Sequence, residues 1–348
     1  MSKPLDIQPG DRILVSRTDR LGDLILALPL VESLKLRYPE CCVDVLASLY
    51  ASPVLENNDR IDGILRVQSQ QLGRSRHYRN ELKQNIVRAK YKAAVVVYPD
   101  RQVSRLLYKA GIPNRLGTAG RFHSVFFNHH LIHSRKANKK HEMEYNLDFL
   151  SFFHNGPTVS QPTVHPRVKE LRYARRILDD AGVGENFVVL HPGSGGSAHR
   201  WPLDKFRQLH HALIDRGIET VITGSADEAA TYAEWGSGHQ RRTVSIAGQT
   251  DLRTLAAILA QATAVIANST GPLHLAAAVG THVAGLYPRR KVMSPVRWGP
   301  VGKDHLVFQP SMPECDCPPK ECFCMSTIPV ESVAARVVDL VCNEDAVK

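Results

Sequence analysis

The sequence predicts an α/β protein built from two Rossmann-like domains in series, facing each other across a cleft. Three observations carry this. The chain has 348 residues, more than one ordinary core accommodates, so two domains of about 150 residues are the expected division. Short apolar runs alternate with segments of helical periodicity in both halves, the pattern of a parallel sheet covered on both faces. A polar stretch holding Pro157, Pro162 and Pro166 interrupts the alternation and marks the linker. The expected divisions are residues 1–165, residues 166–328, and a C-terminal segment 329–348.

The first half opens with an apolar β-type run at 12–16. A loop follows, then one long helical segment at 23–37, in which Leu24, Leu28, Val31 and Leu34 fall at helical spacing. Further strands are expected at 43–46, 64–67 and 93–98, with helices at 80–89 and 102–110. After the linker the alternation restarts, with a strand at 187–191, a helix at 203–215 and a strand at 219–223. Three more strands are expected at 243–247, 263–267 and 282–286. A last helix at 330–341 is expected to pack back on the first domain.

The formal net charge is +10, and all of it lies in the first half. Residues 1–170 hold 26 Lys+Arg against 16 Asp+Glu, while residues 171–348 hold 18 of each. Such a bias points to an acidic partner: a phosphorylated lipid, a membrane surface or nucleic acid. The plain alternative is an idle solvated face. No zinc-finger, RNA-recognition or helix-turn-helix pattern is present, so nucleic acid is not expected. No apolar run approaches the roughly 20 residues that span a bilayer. The N-terminal MSKPLDIQPGDRILVS lacks an apolar core with a cleavage site, and the cytoplasm is the expected compartment. The seven cysteines are not spread as in a secreted disulfide scaffold.

Four loops carry candidate chemistry. In His191-Pro-Gly-Ser-Gly-Gly-Ser197, Ser194, Gly195 and the other glycines bring a hydroxyl and backbone N–H groups close to an anion. Arg200 adds a planar cation suited to phosphate. A plain strand-to-helix turn is the alternative. In Ala267-Asn-Ser-Thr-Gly-Pro-Leu-His274, Thr270 and Gly271 stand where a helix begins, and its free N–H groups and dipole favour a diphosphate. His274 lies one turn in, facing the same site or packed in the core. In Thr223-Gly-Ser-Ala-Asp-Glu228, Asp227 or Glu228 either hydrogen-bonds a ribose or simply complements the dipole of a first helical turn. In Arg17-Thr-Asp-Arg-Leu-Gly-Asp23, Asp23 opens a helix. It either serves that dipole or activates an acceptor hydroxyl. A helix N-terminus is expected to depress its pKa. No phosphate-binding G-x-x-x-x-G-K-[ST] and no Asp-x-Asp metal pair is present. Neutralising a leaving diphosphate then falls to arginines and helix dipoles.

Taken together these loops resemble the ADP-heptose lipopolysaccharide heptosyltransferases, glycosyltransferase family 9. The likeness runs from Arg12 to about Val333. It adds Trp298-Gly-Pro300 and the tail Cys324-Met-Ser-Thr-Ile328 to the motifs above. The resemblance implies a GT-B fold whose second domain binds the nucleotide sugar and whose first domain takes a phosphorylated lipid-linked oligosaccharide, with peripheral contact at the inner membrane. It implies inverting transfer from ADP-heptose with no cofactor and no catalytic metal. Asp23 matches the general base; Ser194, Thr270 and Gly271 match diphosphate contacts; His274 lies in the same motif. Arg200 stands where relatives often carry Lys. Arg17, Arg20 and Arg121 are the expected acceptor cations. Ser269 replaces the Asp that well-studied members keep before Thr-Gly, which leaves open another nucleotide sugar or acceptor, a nucleotide-sugar epimerase, or a non-catalytic binding protein. Cys315, Cys317, Cys322 and Cys324 either hold a structural zinc or iron or are incidental thiols.

Overall fold

The computed structural model describes residues 3–345, apart from 121, 134, 197, 237–243, 303, 314, 316 and 318–322. The chain divides into two compact units, the first ending at Thr163 and the second beginning at Val164.

In the first unit, β1 (Arg12–Arg17), β2 (Cys42–Ser48), β3 (Gly63–Val67), β4 (Ala93–Val96), β5 (Asn114–Thr118) and β6 (His129–Leu131) form one sheet in the order β3-β2-β1-β4-β5-β6. Every pairing is parallel. Val15 of the central strand lies between Val45 and Val95 and is fully buried, which is why these strands read as unbroken apolar runs. The helices are α1 (Leu21–Ile25), α2 (Leu28–Arg37), α3 (Ser69–Arg74), α4 (Arg76–Ala89), α5 (Arg101–Lys109) and α6 (Glu142–Leu147).

The long helix expected at 23–37 is two helices. Pro29 stands in the first turn of α2. Its missing N–H is harmless there but breaks a continuous helix. Strands β5 and β6 were absent from the sequence reading. β6 is three residues long with none buried, and β5 mixes Arg115 and Gly117 with a single large apolar residue.

In the second unit, β7 (Phe187–His191), β8 (Glu219–Ile222), β9 (Val244–Ser245), β10 (Ala264–Asn268), β11 (His282–Leu286) and β12 (Leu306–Phe308) form a second parallel sheet, β12-β11-β10-β7-β8-β9. Read from its other edge this is the same winding as the first sheet, the doubly wound order 3-2-1-4-5-6. In each the order reverses beside the first strand, between β1 and β4 and between β7 and β10, where such sheets bind ligands. The helices are α7 (Val168–Asp180), α8 (Leu203–Asp215), α9 (Ala229–Ala233), α10 (Leu252–Leu259), α11 (Gly271–Ala278), α12 (Pro295–Trp298) and α13 (Val330–Asp345). β12 is a short edge strand that was also not anticipated.

Helix α13 is the last element of the chain's fold. It belongs to the second unit, where it packs on α8. Its fully buried Val333, Ala334 and Val337 share a core with Trp201, Phe206, Leu209 and Leu213. Its apolar stripe is thus satisfied within that unit. Among the described residues, no helix is long and apolar enough to cross a membrane.

Candidate active site

In the first unit, β1 ends at Arg17 and α1 begins at Leu21, so the loop between them leaves the C-terminal edge of the sheet at its switch point. Arg17 is buried and all five of its N–H groups are engaged. Its Nε donates to Asp19 Oδ1 (2.7 Å) and its Nη2 to Asp19 Oδ2 (3.0 Å) and Asp23 Oδ1. Its Nη1 donates to Glu142 Oε1 (3.2 Å) and Asn146 Oδ1 (3.3 Å). Arg17 therefore has no donor left for an acceptor, and its expected role as an acceptor contact is replaced by that of a clamp on Asp23.

Glu142 and Asn146 lie four residues apart on α6, hence on one face, and both are fully buried. Arg135 pairs with Glu142 (3.5 Å) and donates to Asn146 Oδ1 (3.2 Å). Asn146 Nδ2 donates to the Leu26 carbonyl at the end of α1 (2.9 Å). Three carboxylates thus share two inward guanidinium groups. Burial pushes the Asp23 carboxyl up to about 6; Arg17 opposes the rise, and the charges of Asp19 and Glu142 add to it. The expected depression by a helix N-terminus does not occur. α1 is only five residues long, and desolvation with like charge outweighs its small dipole. Arg20 is the exposed N-cap residue of α1, and its charge reaches Asp23. Arg121 lies outside the described residues.

In the second unit, the loop after β7 is fixed by Asn268, the last residue of β10. Its fully buried amide accepts from Trp201 N–H (2.8 Å) and donates to the Pro192 carbonyl (2.7 Å), so one side chain holds both ends of the loop. Between them Gly195 and Gly196 adopt φ of +47° and +75°, a left-handed turn that other residues rarely tolerate. Ser194 is buried at the base of this turn; Gly195 and Arg200 are exposed. His191 accepts or donates to Thr223 Oγ1 (2.9 Å), and burial lowers its pKa to about 4, so it is neutral near pH 7.

Thr270 caps α11 with extended backbone and no side-chain cap hydrogen bond; Pro272 has no N–H and the Leu273 N–H donates to the Thr270 carbonyl (3.2 Å), so in the first turn the Gly271 N–H is the donor left for an anion. Gly271 is the first helical residue, and His274, one turn further, is buried. Ser269 hydrogen-bonds the buried Tyr287 phenol, and that phenol donates to the Trp298 carbonyl (2.7 Å). The Ser269 hydroxyl thus ties the loop after β10 to the Trp298-Gly-Pro300 motif.

The structure assigns Glu228 to its own turn. It accepts from Ser225 N–H and Oγ (both 2.9 Å) in a capping box. Its carboxylate also packs on Gly193, where a Cβ would sit 2.8 Å from its oxygens. Asp227 is exposed beside it. The capping alternative therefore accounts for Glu228, whose carboxylate braces the loop after β7 from behind.

Sequence reasoning gave no role to four residues placed here. Asn268 was legible only as part of a motif. Glu142 and Asn146 carried the signal of i,i+4 spacing, but nothing marked their distant partner. His199 is 1 % exposed, and neither ring nitrogen has a partner among the described residues. Burial, with the nearby Arg290 charge, lowers its pKa.

Cys315, Cys317 and Cys324 gather near α13, while Cys322 lies outside the described residues. His129, His130 and His133 turn to separate partners, Asn114, the Ser124 carbonyl and Asp148, and form no common ligand set.

Two doubly wound Rossmann-like units, the second with a glycine-rich loop at its switch point, are the architecture of the GT-B glycosyltransferases. Comparison with known proteins narrows this. The profile of glycosyltransferase family 9 (heptosyltransferase) matches residues 79–324, and the chain belongs to that family. It is 27 % identical over 327 residues to lipopolysaccharide heptosyltransferase 3 of Escherichia coli, covering 91 % of this chain and 95 % of that protein. A glycosyl transferase family 9 structure from Veillonella parvula superposes with a TM-score of 0.86 at 20 % identity, covering 98 % and 100 % of the two chains. The ADP-heptose LPS heptosyltransferase II of E. coli does so with a TM-score of 0.80 at 21 % identity, covering 96 % and 99 %. At those identities the two structures establish the shared fold.

Proposed function

We propose that the protein transfers a heptose from ADP-heptose to a hydroxyl of the lipopolysaccharide inner core, with inversion at the anomeric carbon. The observation that carries the reading is Asp23, a carboxylate held by Arg17 at the switch point of the first sheet with its pKa near 6. A base poised there is largely ionised near neutral pH, yet is basic enough to draw a proton from an attacking hydroxyl. Asp23 takes that proton while the acceptor oxygen attacks the anomeric carbon opposite the diphosphate. The bond from that carbon to the phosphate oxygen breaks, and ADP leaves.

Charge developing on ADP is met by Arg200, the Ser194–Gly195 turn and the first turn of α11 at Thr270 and Gly271. The reading therefore assigns no step to a metal or cofactor. Family membership and the heptosyltransferase activity of its relatives support heptose as the sugar. His199, a buried imidazole with both nitrogens unmatched, supports a hydrogen-bonding ligand against this loop. The basic excess of residues 1–170 supports a phosphorylated, lipid-linked acceptor met at the inner face of the membrane, with Arg20 a candidate contact.

Asp23→Asn tests the reading. It is expected to lower kcat by about 10²–10⁴-fold, the usual weight of a general base, while calorimetry shows ADP-heptose binding unchanged. Turnover at the wild-type rate would remove Asp23 from the mechanism. Binding of UDP- or GDP-sugars in preference to ADP-heptose would reassign the donor.

A further inference from the structure

The Sγ atoms of Cys315, Cys317 and Cys324 all lie within 4.8 Å of one another. Cys324 is 1 % and Cys315 9 % exposed; Cys317 is half-buried. The Cys315 and Cys324 sulfurs are 3.2 Å apart. A disulfide needs about 2.05 Å. Four thiolates at about 2.3 Å around a tetrahedral ion stand about 3.8 Å from one another, close to the spacing found here.

The backbone that carries these sulfurs is anchored on both sides. Cys315 N–H donates to the Arg289 carbonyl (3.0 Å), and Arg290 Nη1 donates to the Cys317 carbonyl (3.2 Å). Cys324 lies in a short 3₁₀ turn, Phe323–Thr327, whose neighbour Met325 is fully buried. Just beyond it the Ile328 carbonyl accepts from Trp201 Nε1 (3.3 Å) and Lys205 Nζ (3.4 Å). The cluster therefore joins the segment after β11 to the start of α13. Packing alone would be served by aliphatic side chains.

We propose that Cys315, Cys317 and Cys324 bind a thiophilic divalent cation, zinc or iron(II), as a structural centre that ties Cys315 and Cys317 to the Cys324 turn. Binding displaces three thiol protons to solvent as three metal–sulfur bonds form, and one coordination position remains for a fourth ligand. The centre takes no part in glycosyl transfer, so it stands or falls independently of the proposed function.

The test uses the full chain, purified without a metal-affinity column or chelator. Elemental analysis is expected to find about one zinc or iron per chain and to say which. Chelated protein titrated with cobalt(II) is expected to develop sulfur-to-cobalt charge-transfer absorption that saturates at one equivalent. Cys324→Ser is expected to abolish both signals. If that buried substitution prevents folding, Cys317→Ser, at the more exposed corner, gives the same readout. Metal-free wild-type protein that shows no thiolate–cobalt absorption would overturn the proposal, as would metal retained in both serine variants.

Discussion

Arg17 and Asp23 form an ion pair across the β1–α1 loop in which the cation is the more buried partner, 3 % against 14 % exposed at the side chain. Arg17 is saturated by carboxylate and amide oxygens, so it orients Asp23 without fully compensating the burial of that carboxylate. An isolated buried ion pair would usually hold its acid low. Here Asp19 and Glu142 compete for the same guanidinium, and the Asp23 pKa rises instead.

The activity should follow that rise. Asp23 must be ionised to accept a proton, so kcat/KM is expected to be flat above about pH 7 and to fall tenfold per pH unit below about 6. A profile measured with ADP-heptose and a core acceptor checks this. An acid limb near pH 4 would mean that the working base is not a crowded, buried carboxylate.

Asn268 is the corresponding positioning residue in the second unit. Asn268→Ala strips partners from the buried Trp201 N–H and from the Pro192 carbonyl. At about 1–3 kcal/mol for each of the two groups left unsatisfied, denaturant unfolding should show a loss of about 2–6 kcal/mol. ADP affinity, read by calorimetry, should fall with it, because the turn holding Ser194 and Gly195 loses its anchor.

Arg200 is exposed. Arg200→Ala is therefore expected to leave the melting temperature unchanged. Loss of a charge-assisted bond worth about 1.5–3 kcal/mol should weaken ADP binding by roughly 10- to 100-fold. Arg200→Lys should recover part of the affinity, since the charge remains and the planar fork does not. Equal affinity in wild type and Arg200→Ala would move the diphosphate away from this arginine.

The C-terminal helix should matter to the second unit. Val337 is fully buried against the α8 core, and Val337→Ala is expected to cost about 2 kcal/mol through lost burial and a residual cavity. Asp339→Ala on the same helix, away from that cluster, should cost little. Chemical denaturation of the two variants side by side separates packing from a general effect of altering the helix.

The sequence by itself determined the two-domain α/β architecture, because unbroken apolar runs and glycine-rich turns are local signals of buried parallel strands and the loops that follow them. It also determined the candidate loops around Asp23, Ser194 and Thr270 and the grouping of the cysteines. It did not reveal the break at Pro29, although that signal was local and available. Only the tertiary structure decided what the charged residues do. Arg17 reads as a free cation until Glu142 and Asn146 arrive from more than 120 residues away. Glu228 reads equally as a ribose ligand or a first-turn acid until Ser225 and Gly193 take it up, and α13 has no stated face until α8 receives it. Periodicity and turn chemistry are fixed by neighbours in the chain. Hydrogen-bond partners, desolvation and the pKa of Asp23 are fixed by neighbours in space.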